Sequence, residues 1–234
     1  MWAPQLRLAD AGWRIIAPHV GGAGGHAGAA PDPARASMDE YAAEVVDLLD
    51  ALHVDAAVVG GLSMGGYVAF ALLRLAPAYV HGLILADTRP QADTSEAVEG
   101  RKRLMKVVEE AGAAGVASEM IPKLLGETTR RSGPAIVEQV RSLALANSPE
   151  SIAGMIGALM RRPDSTPLLA TIRVPTLVIV GTEDTVTPPA IASEMHAAIA
   201  GSELVVIPAA GHLSNLEQPD AFTAALARFL EHRV

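Results

Sequence analysis

A chain of 234 residues, half of them hydrophobic and 19% charged, is long enough for one α/β core carrying an insertion. Its 26 acidic against 18 basic side chains give a net charge of −8, which offers no footprint for nucleic acid, and the lack of any cysteine excludes disulfides and thiolate metal sites. No apolar run approaches the roughly 18 residues of a membrane span, and Met1-Trp2-Ala3-Pro4 begins neither a charged nor an apolar leader, so a cytoplasmic protein with no membrane partner is expected.

Short β-branched runs bounded by turn residues alternate with longer helical patterns, which predicts a mainly parallel sheet with helices on both faces. The first run is Arg14–Ala17. Val20–Pro33 follows with five glycines and no apolar period, and reads as a loop. Met38–Leu52 places Tyr41, Val45, Leu48, Leu49 and Leu52 on one helical stripe, with Ser37 as its N-cap. Ala57–Gly60 and Leu83–Ala86 are strand runs, with a helical run from Tyr67 to Leu75 between them. From about Pro90 to Leu169 the β rhythm stops and helix follows helix, with breaks near Gly112, Pro122, Gly133, Ser148 and Pro163. The rhythm then resumes with Thr176–Val180 and Leu204–Ile207, which alternate with helices over Pro188–Ile199 and Ala221–Leu230. The division expected is a core over 1–89 and 170–234 with a helical cap over 90–169.

Gly61-Leu62-Ser63-Met64-Gly65 lies between a strand and a helix. A nucleophile on such a sharp turn needs small neighbours two residues before and after it, and Gly61 and Gly65 meet that need. A glycine-rich turn with a capping serine is the plain alternative. Serine is inert at neutral pH until a base takes its proton, so a histidine and an orienting acid are sought on later loops. His212 follows the last strand run, a better position than His19, His26, His53, His81, His196 or His232. For the acid, Asp184 in Thr182-Glu183-Asp184 is the choice, with Glu183 and Asp87 as competitors that also suit turn or capping roles. The backbone N–H of Met64 is the expected oxyanion donor.

With Ser63, Asp184 and His212 in that chain order, the sequence resembles an α/β-hydrolase of the capped esterase and lactonase branch, the 3-oxoadipate enol-lactonase-like group. The likeness is carried by Met1–Leu6, Val59–Gly66, Pro175–Asp184 and Gly211–Pro219. It implies hydrolysis of a small-molecule ester or lactone through a Ser-His-Asp triad, with no cofactor and no metal. The family's strands before the first helix, and the His-Gly loop that supplies a second oxyanion donor, have no counterpart here. Pro18-His19-Val20-Gly21-Gly22 also lacks the family's Asp and Arg. A backbone nest at Gly21, Gly22, Gly24 and Gly25 is a conceivable partial substitute donor, and the open sheet edge is expected either to re-pair, Ile15-Ile16 against Val58-Val59, or to borrow a strand from a second chain in a homodimer.

Within the cap, Met105, Met120, Leu124, Met155 and Met160 are candidates for the acyl pocket, although helical methionines often serve as core filler. A non-catalytic relative that only binds, and a cofactor-free perhydrolase using the same triad, are the alternatives to an esterase or lactonase.

Overall fold

Four of the β-branched runs become strands in the computed structural model, which describes residues 1–25 and 32–234. They are β1 (Ala57–Leu62), β2 (Val80–Ala86), β3 (Thr176–Gly181) and β4 (Glu203–Ile207), paired in that order and all parallel. Parallel strands covered on both faces are apolar throughout, and here the period of two sorts their side chains between two cores. Leu83, Leu85, Val178 and Val180 point to one face, against Phe70 of α2 (Met64–Leu75) and Met195 of α8 (Pro189–Ala198). Ile84, Ala86, Leu177 and Ile179 point to the other, against Phe222, Leu226 and Phe229 of α10 (Pro219–Arg233) and Leu8 of the 3-10 turns over Ala3–Ala11.

Arg14–Ala17 does not form a strand. A strand exists only by pairing, and β1 exchanges its hydrogen bonds with β2 alone, so this segment packs through Ile15 on the core without joining the sheet. The helix α1 (Met38–Ala51) starts where expected, because Ser37 accepts the Glu40 N–H and Glu40 accepts the Ser37 N–H in a reciprocal capping box.

Between β2 and β3 lie α3 (Ser95–Leu124), α4 (Glu127–Ser132), α5 (Pro134–Leu145), α6 (Pro149–Arg161) and the short α7 (Thr166–Leu169). Gly112 bends α3 with a φ of 57° that favours glycine, and Ser148 caps α6. The break expected near Pro122 falls three residues beyond it, at Leu125-Gly126. Pro122 itself lies inside the last turn of α3, and its missing N–H removes one helical hydrogen bond just before the helix ends. Both α5 and α6 pack against α3. No helix among the described residues is long and apolar enough to cross a membrane. His26 and the loop through Pro31 lie outside the described residues.

Candidate active site

Ser63 is the single residue between the end of β1 and the start of α2, with φ 53° and ψ −114°. This backbone is strained for a side chain other than glycine and must be held by its surroundings. Its N–H donates to the Ala86 carbonyl at 2.9 Å, and its own carbonyl accepts from the Thr88 hydroxyl at 2.8 Å. The need for glycine differs from the expectation. A Cβ on Gly61 would lie 2.1 Å from the Gly65 backbone and one on Gly66 would lie 2.4 Å from Thr88 Oγ1, whereas one on Gly65 would meet nothing within 4 Å. Gly61 and Gly66 are therefore the sterically fixed pair. Gly61→Ala is expected to lower the melting temperature sharply, while Gly65→Ala, a helical glycine with open space, gains up to about 1 kcal/mol. Thermal melts of the two variants check this, and equal shifts would refute it.

The Ser63 hydroxyl lies 2.7 Å from His212 Nε2, and His212 Nδ1 lies 2.8 Å from Asp184 Oδ2. Asp184 and His212 are 3% and 1% exposed, and Ser63 is half-buried. Asp184 Oδ1 accepts the N–H groups of Val186 and Thr187, and its Oδ2 accepts the Thr187 hydroxyl at 2.5 Å. Burial is the largest single influence on this carboxyl and raises its pKa, but the hydrogen bond and charge of His212, with the Thr187 donors, outweigh it. Asp184 is thereby held below the ordinary range and ionised. A carboxylate on Nδ1 fixes the tautomer that leaves Nε2 free to accept the serine proton. Glu183, by contrast, turns to the Thr128 N–H and hydroxyl at the start of α4, and Asp87 binds Gly181 and Ser214 instead of the imidazole.

Residues 1–225 match the alpha/beta hydrolase family. The chain belongs to that family. It is 31% identical over 226 residues to 3-oxoadipate enol-lactonase 2 of Acinetobacter baylyi, an alignment that covers 97% of this chain and 82% of the relative. Among solved structures, a thermophilic esterase from Thermogutta terrifontis with malate bound superposes at a TM-score of 0.91. It shares 39% identity and covers 98% of this chain and 84% of its own. An enol-lactonase from Burkholderia xenovorans superposes at 0.88 with 28% identity, covering 99% and 86%.

The histidine loop of this alpha/beta hydrolase is clamped from the helical insertion. The His212 N–H donates to the Leu124 carbonyl at 2.9 Å, and a Cβ on Gly211 would come within 2.3 Å of the Gly126 nitrogen. The buried Glu217 carboxyl, on the short helix α9 (Ser214–Glu217), accepts the N–H groups of Gly126, Gly211 and Leu213 at 2.8, 2.9 and 3.2 Å. Glu217→Ala would leave all three donors unmatched, at roughly 1 to 3 kcal/mol each. A loss of at least about 3 kcal/mol in urea unfolding is expected, and a change under 1 kcal/mol would show that water replaces the carboxyl.

Met105, Met120 and Met160 pack against Leu104, Val108 and Ile156, filling the space between α3 and α6, and Met155 is half-buried on α6. Leu124 packs on the main core and contributes its carbonyl to the His212 loop. In the glycine-rich loop, the Gly21 and Gly24 N–H groups donate to Glu44 and Asn147, which withdraws both from the expected nest. Sequence reasoning also missed Arg162. This buried guanidinium pairs with Asp93 at 2.7 Å and lies 4.3 Å over the ring of Tyr67, joining the end of the insertion to the first turn of α2. Among the described residues no group of three or more His, Cys, Asp or Glu side chains could hold a metal ion.

Proposed function

We propose that this alpha/beta hydrolase cleaves a small carboxylic ester or lactone through an acyl-enzyme on Ser63. The observation that carries the reading is the unbroken relay from Ser63 Oγ through both nitrogens of His212 to Asp184, at 2.7 and 2.8 Å. As Oγ bonds to the carbonyl carbon, its proton passes to Nε2, and Asp184 stabilises the imidazolium. The carbonyl oxygen becomes an oxyanion facing the Met64 N–H at the start of α2, a donor of the kind worth about 10² to 10³ in turnover. Collapse expels the alcohol oxygen, which takes the Nε2 proton. In a lactone that oxygen remains tethered to the acyl group. Water then attacks the acyl carbon, giving a proton to Nε2, and collapse breaks the C–Oγ bond while Nε2 returns that proton to Ser63 Oγ and the acid leaves.

The helices between β2 and β3 serve as a cap over this site, and the accessible faces of Met105, Met120, Met155 and Met160, with Leu124, are the proposed walls of the acyl pocket. The likeness to an esterase at 39% identity and to two enol-lactonases supports ester or lactone chemistry. A fluorophosphonate probe followed by intact mass and peptide mapping tests the reading. A single adduct on Ser63 is expected, and an unlabelled, folded protein would make this a relative that only binds.

A further inference from the structure

The reaction as proposed leaves one buried carboxyl near the triad without a role. Asp87, directly after β2, is 1% exposed and adopts φ 44°, a left-handed backbone that residues other than glycine rarely take. Its Oδ1 accepts the Gly181 N–H at 2.9 Å, three residues before Asp184, and its Oδ2 pairs with the Ser214 hydroxyl, two residues after His212. Its main-chain N–H donates to the Ile179 carbonyl at 2.8 Å. On either side, Ala86 accepts the Ser63 N–H and Thr88 donates to the Ser63 carbonyl. The loops carrying nucleophile, acid and base therefore all meet at residues 86–88.

We propose that Asp87 is a positioning residue whose two oxygens, one on Gly181 and one on Ser214, set the separation between the Asp184 loop and the His212 loop. This rests on the triad reading above. The charged groups that act on Asp87 are acidic: Asp184 from the loop after β3 and Glu217 from α9, while His212 lies on the same loop as Ser214. Burial drives the Asp87 carboxyl well above its ordinary range. The hydrogen bonds from Ser214 and Gly181 lower it by less, and the two acidic neighbours add to the rise. A neutral acid suits the place because an ionised one would set a second negative charge beside Asp184 and alter the field at the imidazole. Asparagine mimics the neutral form, with Oδ1 accepting from Gly181 and Nδ2 donating to Ser214 Oγ.

The test compares D87A, D87N and S214A with wild type on a p-nitrophenyl ester, across the pH range in which each is folded. D87A should lower kcat by about 10²-fold at little change in KM, the effect of misaligned catalytic groups. D87N should restore most of that loss and leave the acid limb of the pH profile where wild type has it. S214A, which cuts one arm, should lower kcat by about 10-fold.

Stability gives a second readout. A carboxyl whose folded value is raised contributes stability below its unfolded value of about 3.9, and loses it as pH rises toward the raised one. The melting temperature of D87N should therefore gain on wild type as pH increases. A D87N as impaired as D87A, a displaced acid limb, or a pH-independent melting difference would each overturn the neutral assignment. Wild-type kcat in D87A, or in S214A where D87A does not fold, would overturn the positioning role. A wild type that takes no fluorophosphonate on Ser63 would overturn the hydrolase reading and this inference with it, whereas a labelled, active wild type alongside an unaffected D87A overturns only the latter.

Discussion

Replacing Ser63 with alanine is expected to lower kcat for p-nitrophenyl esters by about 10⁵- to 10⁶-fold, because no other group at the elbow can carry the acyl chain. Stability should barely change. The alanine keeps the N–H to Ala86 and the carbonyl to Thr88, and it keeps the strained φ of 53°. Ser63→Gly should be as inactive yet more stable, by about 1 to 2 kcal/mol, since glycine relieves a backbone that costs a side-chain residue about that much. Turnover and chemical denaturation of both variants check the pair of outcomes. An alanine variant that retained more than a few per cent of turnover would remove Ser63 as nucleophile, and a glycine variant no more stable than alanine would show that the elbow stores no strain.

Asp184→Asn is the second large effect, about 10⁴-fold in kcat with the fold retained, and its cause is a tautomer rather than a missing contact. The Asp184 Oδ1 position faces two backbone donors, from Val186 and Thr187, so the amide oxygen must occupy it. The amide nitrogen then points its hydrogens at His212 Nδ1, which has to surrender its proton, and Nε2 becomes a donor that cannot take the proton of Ser63. Acid stability should change in step. The carboxyl is lowered in the fold, so its stabilisation is present above the unfolded value of about 3.9 and lost as pH falls through the folded one. Asp184→Asn removes that part of the acid transition. A variant with near wild-type turnover would show that the carboxylate does not set the histidine tautomer.

The parts of the site legible in the sequence are those fixed by local pattern. Ser63 is marked by glycines on a strand-to-helix turn, and Asp184 and His212 by following strand ends in the right chain order. Local pattern likewise reads the strands from Ala57 onward, because each is a short β-branched run bounded by turn residues. It fails at Arg14–Ala17, where pattern states only that a segment suits a strand and pairing depends on a neighbour far away. The close approaches at the elbow are equally hidden, since Thr88, which fixes Gly66, reaches it from another strand end. Glu217 shows why the supporting shell was missed. Its carboxyl serves Gly126, 91 residues earlier, and nothing in the spacing of an acid near a C-terminal helix announces a partner at that distance.

The link from Leu124 and Gly126 to the histidine loop has a consequence for how the molecule can be recombined. Counted along the chain, the insertion ends where β3 approaches, but mechanically residues 124–128 travel with the triad: Leu124 holds His212, Gly126 holds Glu217 and Thr128 holds Glu183. A chimaera that imports the helices between β2 and β3 from another family member would carry in the wrong half of this seam and loosen the His212 loop. Grafts that leave 124–128 native, or that transplant the stretches around Glu183 and Glu217 with the insertion, keep the joint intact. Exchanging these helices is in this sense a three-piece operation, with two of the pieces far down the chain from the helices themselves.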